Sequence, residues 1–322
     1  MVYILAIASL LSACTKENDL ADKSVVESNA VKRSHTELDE WILNNLTLPY
    51  GIEVKYRWER NDTREETYTY PPESVKVKAV LETIKELWID LFTAEENGGK
   101  GFMKGKAPVR IHMYGGQNID NNGMELLYTP GTVASEMHLY NVNQFDPRNK
   151  EEVSILMRSV YHQFAKRLME IYPYDRDKFL SISEPRYTNG DTELIKNVFK
   201  DSRSQVFGLS IYAHKRGFLT YHSFLSAEDD FAEIISAMLS YKAQQIGQAL
   251  KSVSEVEAPE NGTEEEKERW REEREEAKQA HAELTQKIAF VNNYFERSIN
   301  INLNRMQMDN SKRMRNFFAK KQ

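Results

Sequence analysis

The residues with the clearest chemical potential lie in Val160-Tyr161-His162-Gln163-Phe164-Ala165-Lys166. Set beside the His-Glu-x-x-His pattern, His162 and Lys166 stand one helical turn apart, the spacing at which two histidines bind zinc. In that pattern the glutamate draws a proton from metal-bound water. Here Gln163 takes the glutamate's place, and an amide has no basic oxygen of useful pKa. Lys166 takes the second histidine's place, and an ammonium with a pKa near ~10 is a cation at neutral pH that repels a divalent ion. A lone histidine on a helix is more often a core or surface residue than a ligand, so the motif alone is weak. A second chemically suggestive position is Cys14, the single cysteine of the chain. It excludes intrachain disulfides, zinc sites with several thiolates, and redox pairs.

Cys14 closes an apolar run, Met1 to Ala13, that is too short to span ~30 Å of hydrocarbon as a helix. The run ends Leu11-Ser12-Ala13-Cys14, similar to the bacterial lipobox, although no Lys or Arg precedes it. The expectation is a signal peptide over residues 1–14, lipidation on Cys14, and a membrane anchor through acyl chains. Residues 15–35 have few large apolar side chains and read as a flexible tether. The acidic stretch after the cysteine, Lys16-Glu17-Asn18-Asp19, resembles the signal that carries Bacteroidetes lipoproteins to the outer face of the outer membrane.

The elements that must position His162 can be read from periodicity. Leu38, Trp41, Ile42 and Leu46 fall at helical spacing, and Pro49-Tyr50-Gly51 ends that helix before an alternating strand over 52–58. Residues 75–92 return to helical spacing, and 109–114 and 137–142 read as further strands between Gly- and Asn-rich turns. From Glu151 to Ile171 apolar residues at 153, 156, 157, 160, 164, 168 and 171 predict a helix buried on one side. A short helix over 191–199, a long helix over about 227–250 and a closing helical segment over 288–318 follow. Between them, 14 of the 20 residues from 264 to 283 are charged. Pairs such as Glu265 with Arg269 support a solvated projecting helix there. The basic end, Lys312 to Lys321, reads as a solvated tail.

Composition sets the outer limits. The 322 residues suit one large domain or two modest ones, and 40% hydrophobic with 29% charged residues is ordinary globular usage. A net charge of −6 gives no basic field, so nucleic acid is not an expected partner.

About 65 residues beyond His162, Ala227-Glu228-Asp229-Asp230-Phe231-Ala232-Glu233 resembles the segment that supplies the third ligand in gluzincin-type peptidases. With the lipobox at Cys14, residues 49–58, 102–104 and 139–143, and Ile182-Ser183, the order of motifs resembles one family over nearly the whole length. These are the substrate-import-associated zinc metallohydrolase lipoproteins of Bacteroidetes. The resemblance implies an α+β, zincin-like (gluzincin-type) fold, with a small mixed sheet followed by mostly helices. It implies a single domain over 36–322, with an α+β part over 36–147, a helical part over 148–322 and the charged helix at about 263–283. Carried over by position, His162 is the first zinc ligand, Gln163 the general base, Lys166 the second ligand, Asp229 the third, and Glu233 the supporting acid. With Gln163 and Lys166 in those places, no catalytic residue and no cofactor are expected, although zinc belongs to the parent family; His162 and Asp229 are the metal ligands only if zinc binds. Lys166 is expected to replace the zinc charge by pairing with Asp229 or Glu233.

The expected function is thus a degenerate metallopeptidase-like surface lipoprotein on the outer membrane. It would bind peptide or glycan beside a nutrient transporter and its surface lipoproteins. An active zinc hydrolase recruiting His214 or His222 is the first alternative, although both read more naturally as surface or hydrogen-bonding residues. A structural partner of a transporter, with Trp41, Trp58 and Trp88 as contacts rather than core, is the second.

Overall fold

The computed structural model describes residues 35–58, 69–128, 133–192, 207–254 and 261–321. The expected signal peptide with Cys14, nearly all of the tether, and most of the helix predicted over 191–199 lie outside them. The chain divides into two compact units, Met1–Glu40 and Trp41–Gln322, and everything that positions the site belongs to the second. Among the described residues no helix is long and apolar enough to cross a membrane.

Three short strands, β1 (Glu53–Lys55), β2 (Arg110–Met113) and β3 (Glu136–Leu139), form one sheet in the order β1-β2-β3. Both pairings are parallel, with Val54 opposite Ile111 and His112 opposite His138. This corrects the expectation of a mixed sheet. Parallel pairing follows from the long connections, because only a crossover returns the chain in the same direction. The strands are shorter than the alternation suggested. β3 ends before Asn141, whose φ of 61° is left-handed and turns the chain out of the sheet.

After α1 (Glu37–Ile42), helix α2 (Ser74–Ile84) follows β1 and runs on through a π-turn (Lys85–Ile89) and a last turn (Asp90–Phe92). It buries Val80, Leu81, Ile84, Leu87 and Trp88. Helix α3 (Lys150–Ile171) carries His162. The Asn149 side chain caps its start, accepting from the backbone N–H groups of Glu151 and Glu152. One flank of α3 is fixed by Phe164, whose ring meets Trp88 and Phe92 edge-on at 5.1 and 4.9 Å. Its end is fixed by Tyr294, which donates to the carbonyls of Leu168 (3.1 Å) and Tyr172 (2.8 Å).

Short helices α4 (Arg176–Leu180) and α5 (Ile211–His214) precede α6 (Ala227–Ser240), which packs along α3. The long helix expected over about 227–250 is two. Tyr241, with ψ of 150°, leaves the helical region, and α7 (Ala243–Ser254) starts anew. Helix α8 (Glu264–Tyr294) opens on a capping box between Thr263 and Glu266 and projects its charged first half into solvent, as predicted. After a π-turn (Phe295–Ile299) and left-handed Asn300, helix α9 (Leu303–Lys321) closes the fold. The basic end read as a tail belongs to α9, with Lys320 bonded to Glu86 at 2.6 Å. Trp58 and Trp88 are core and Trp41 is half-buried.

Candidate functional site

Residues 158, 162 and 166 recur every four positions along α3, so Arg158, His162 and Lys166 point to one face. That face meets α6, from which Asp229, Glu233 and Ser236 look back, again about one turn apart. The reason for two helices sharing polar faces in the core is local and sequence-encoded: each polar residue sits at a position that helical spacing aims inward, and each finds a partner.

His162 is fully buried. Its Nδ1 donates to Glu233 Oε1 at 2.8 Å, which orients the ring. Its Nε2 lies 3.6 Å from Asp229 Oδ1 and has no hydrogen-bond partner among the described residues. The Tyr128 ring stacks over the imidazole, centroids 4.4 Å apart, and the Tyr128 hydroxyl donates to Asp229 Oδ1. Lys166 Nζ donates to the same oxygen at 2.7 Å and stands 4.8 Å above the Tyr128 ring. Ser226 donates to the other Asp229 oxygen at 2.7 Å.

The charges follow from these contacts. Burial alone would raise the Asp229 carboxyl, but His162 and the Lys166 ammonium outweigh it and hold it well below the usual carboxylate range. Burial likewise opposes ionisation of Glu233. The fully buried Arg158 guanidinium and His162 overcome that and keep it ionised, with Thr220 donating at 2.6 Å. Arg158 spends its other donors on Ser236 Oγ (2.8 Å) and the Phe207 carbonyl (2.7 Å). Tyr128 is pushed the other way, kept protonated by burial and by Asp229.

Gln163 faces the sheet. Its Oε1 accepts from the His138 backbone N–H at 2.7 Å, and its Nε2 donates to the His138 carbonyl at 2.8 Å. The amide thus occupies both backbone groups of one residue on the edge of β3, a task needing a donor and an acceptor together. A glutamate could accept but not donate in its ionised form.

The structure therefore brings His162, Lys166, Asp229 and Glu233 together and turns Gln163 to the sheet. His214 and His222 are buried, which removes the surface half of the expectation that they are surface or hydrogen-bonding residues. His222 stacks on Phe207 at 5.3 Å, and burial lowers its pKa to about 4. Tyr128, Arg158 and Thr220 were not legible as site residues. Arg158, four residues before His162 and therefore on the same helical face, carried a signal in that spacing; Tyr128, in a turn-rich stretch, carried none.

A small parallel sheet followed by packed helices, with a buried histidine and two carboxylates between α3 and α6, gives the molecule an α+β, metallopeptidase-like architecture. The family described as "putative zinc-binding metallo-peptidase" matches residues 31–304, and the chain belongs to it. Among solved structures it is similar to one titled as a putative zinc-binding metallo-peptidase from Bacteroides caccae ATCC 43185. The two share 24% identity over 90% of this chain and 95% of that one, with a TM-score of 0.60, a likeness of fold. None of the curated proteins compared with the chain matches it.

Proposed function

We propose that this chain is a catalytically degenerate member of its family, a lipid-anchored surface protein that binds peptide or glycan as an accessory to an outer-membrane nutrient-import system. The observation that carries the degeneracy is the Lys166 ammonium, 2.7 Å from Asp229 Oδ1. Zinc held by Asp229 at about 2.1 Å would stand within a few ångströms of that fixed positive charge. The donor set also falls short, since His162 Nε2 and Asp229 leave the second-ligand position to a cation and the general-base position to an amide bonded to the sheet. These residues do not fit zinc. What they do instead is hold α3 and α6 in register by hydrogen bonds and ion pairs.

The accessory role rests on the resemblance of the motif order and on the lipobox at Cys14. In this reading Lys166, whose side chain keeps 31% of its exposure, is the charged group a bound ligand meets. The test is a peptide and glycan binding screen on the full chain, run beside a hydrolysis assay with added zinc. Saturable binding without turnover is the expected result. Zinc-dependent turnover abolished by His162→Ala would contradict it. Loss of acylation and of surface exposure in a Cys14→Ser variant checks the anchor.

A further inference from the structure

The outward face of the sheet carries a second group of donor side chains, apart from the helix cluster. Strand alternation sends Ile111, Met113, Met137 and Leu139 into the core and leaves Arg110, His112, Glu136 and His138 on the other face. Register then sets His112 directly opposite His138, with Glu136 opposite Arg110. The two imidazoles stack with centroids 4.6 Å apart and 9° from parallel, and His112 Nε2 lies 3.2 Å from Glu136 Oε2. One donor atom from each of His112, Glu136 and His138 lies within 4.8 Å of the other two.

We infer that His112, Glu136 and His138 form a binding site for one zinc ion, distinct from the His162 cluster. Two imidazole nitrogens and one carboxylate oxygen are a donor set zinc accepts, with water in the fourth place. Outer contacts present the needed atoms. Tyr114 Oη meets His138 Nδ1 at 3.0 Å, which leaves His138 Nε2 to ligate. Arg110 holds Glu136 Oε1 at 3.2 Å, which leaves Oε2 turned to His112. Partners of this kind orient metal ligands and fix their tautomers.

Two features work against the ion and are met on the same face. Arg110 and Lys55, the latter opposite His112, are cations; Arg110 is held 2.7 Å from Glu53, which draws its charge toward a carboxylate that is not a ligand. Tetrahedral bonds of about 2.0–2.1 Å place ligand atoms about 3.3 Å apart, so the side chains must close by up to about 1.5 Å and the rings must turn out of their stack. Both His112 and Glu136 keep some exposure, 13% and 30% of their side chains, and have room to do so.

The test is a calorimetric zinc titration of the full chain, with His112→Asn, Glu136→Gln and Asp229→Asn beside it and circular dichroism to check each fold. One ion per chain is expected in the native and Asp229→Asn proteins, with affinity reduced at least about tenfold in both sheet variants. Absence of binding in the native chain overturns the inference, as does binding that survives in both sheet variants. Binding lost only in Asp229→Asn overturns it too and, separately, contradicts the zinc-free reading of the helix site. Should a variant not fold, ring NMR of the native chain decides. His112 and His138 signals must move on zinc addition while His162 stays; movement of His162 alone refutes the site.

Discussion

Lys166 is the residue on which the chemistry of the helix cluster turns. It shares Asp229 Oδ1 with the Tyr128 hydroxyl, and among the described residues no other ammonium or guanidinium is paired with that oxygen. Lys166→Met should therefore destabilise the protein, by about 1–2 kcal/mol in urea unfolding, less than for a fully buried pair because Lys166 is partly exposed. No change in midpoint would show that the ammonium is incidental. Arg158→Met removes the partner of a wholly buried carboxylate, and a larger loss of about 3–5 kcal/mol is expected by the same measurement. At this scale the helical spacing of His162 with Lys166, and of Asp229 with Glu233, was legible because four residues make one turn. Tyr128 and Thr220 were not, since they arrive from turn-rich segments whose path depends on tertiary packing.

Among the elements, helices were read more surely than strands. α3 was legible nearly residue for residue because its apolar stripe is continuous, while its Asn149 cap came only from the structure. Asn149→Ala should lower thermal stability by about 1 kcal/mol, measured as a shift in Tm, while an unchanged Tm would mean the cap is replaced by solvent. Strand direction was not legible in three- and four-residue segments, since it is fixed by the crossovers and not by alternation. The break after Ser240 was missed because Tyr241 and Lys242 are compatible with a helix. It is set instead by tertiary contacts: Tyr241 accepts a bond on its carbonyl from Gln307 at 2.9 Å and presents its ring to Arg158.

For the whole molecule, burying histidines and ionised carboxylates ties folding to pH. His214 and His222 titrate at about 4 when folded, below their ordinary 6.5, so the unfolded chain binds protons first as pH falls. Their contribution is whole above pH 6.5 and is lost on the way down to about 4. For His222 this is on the order of 2 kcal/mol between pH 7 and pH 5. Asp229 and Glu233, held below their ordinary 3.8 and 4.5, add a second loss at still lower pH. Urea midpoints that fall steadily from pH 7 to pH 4 are expected; a flat profile would mean the buried histidines are hydrated. Burial of this kind cannot be read from sequence, where both histidines stand among turn residues.

The most direct test of the central claim is the zinc content of the full chain carrying His112→Asn, which silences the sheet, beside the same chain with Gln163→Glu and Lys166→His added. Desalted after zinc loading, the first should hold none and the second about one ion per chain, as a site lacking only its ligands would. Stoichiometric zinc in the first, held through His162 and Asp229, would contradict the account.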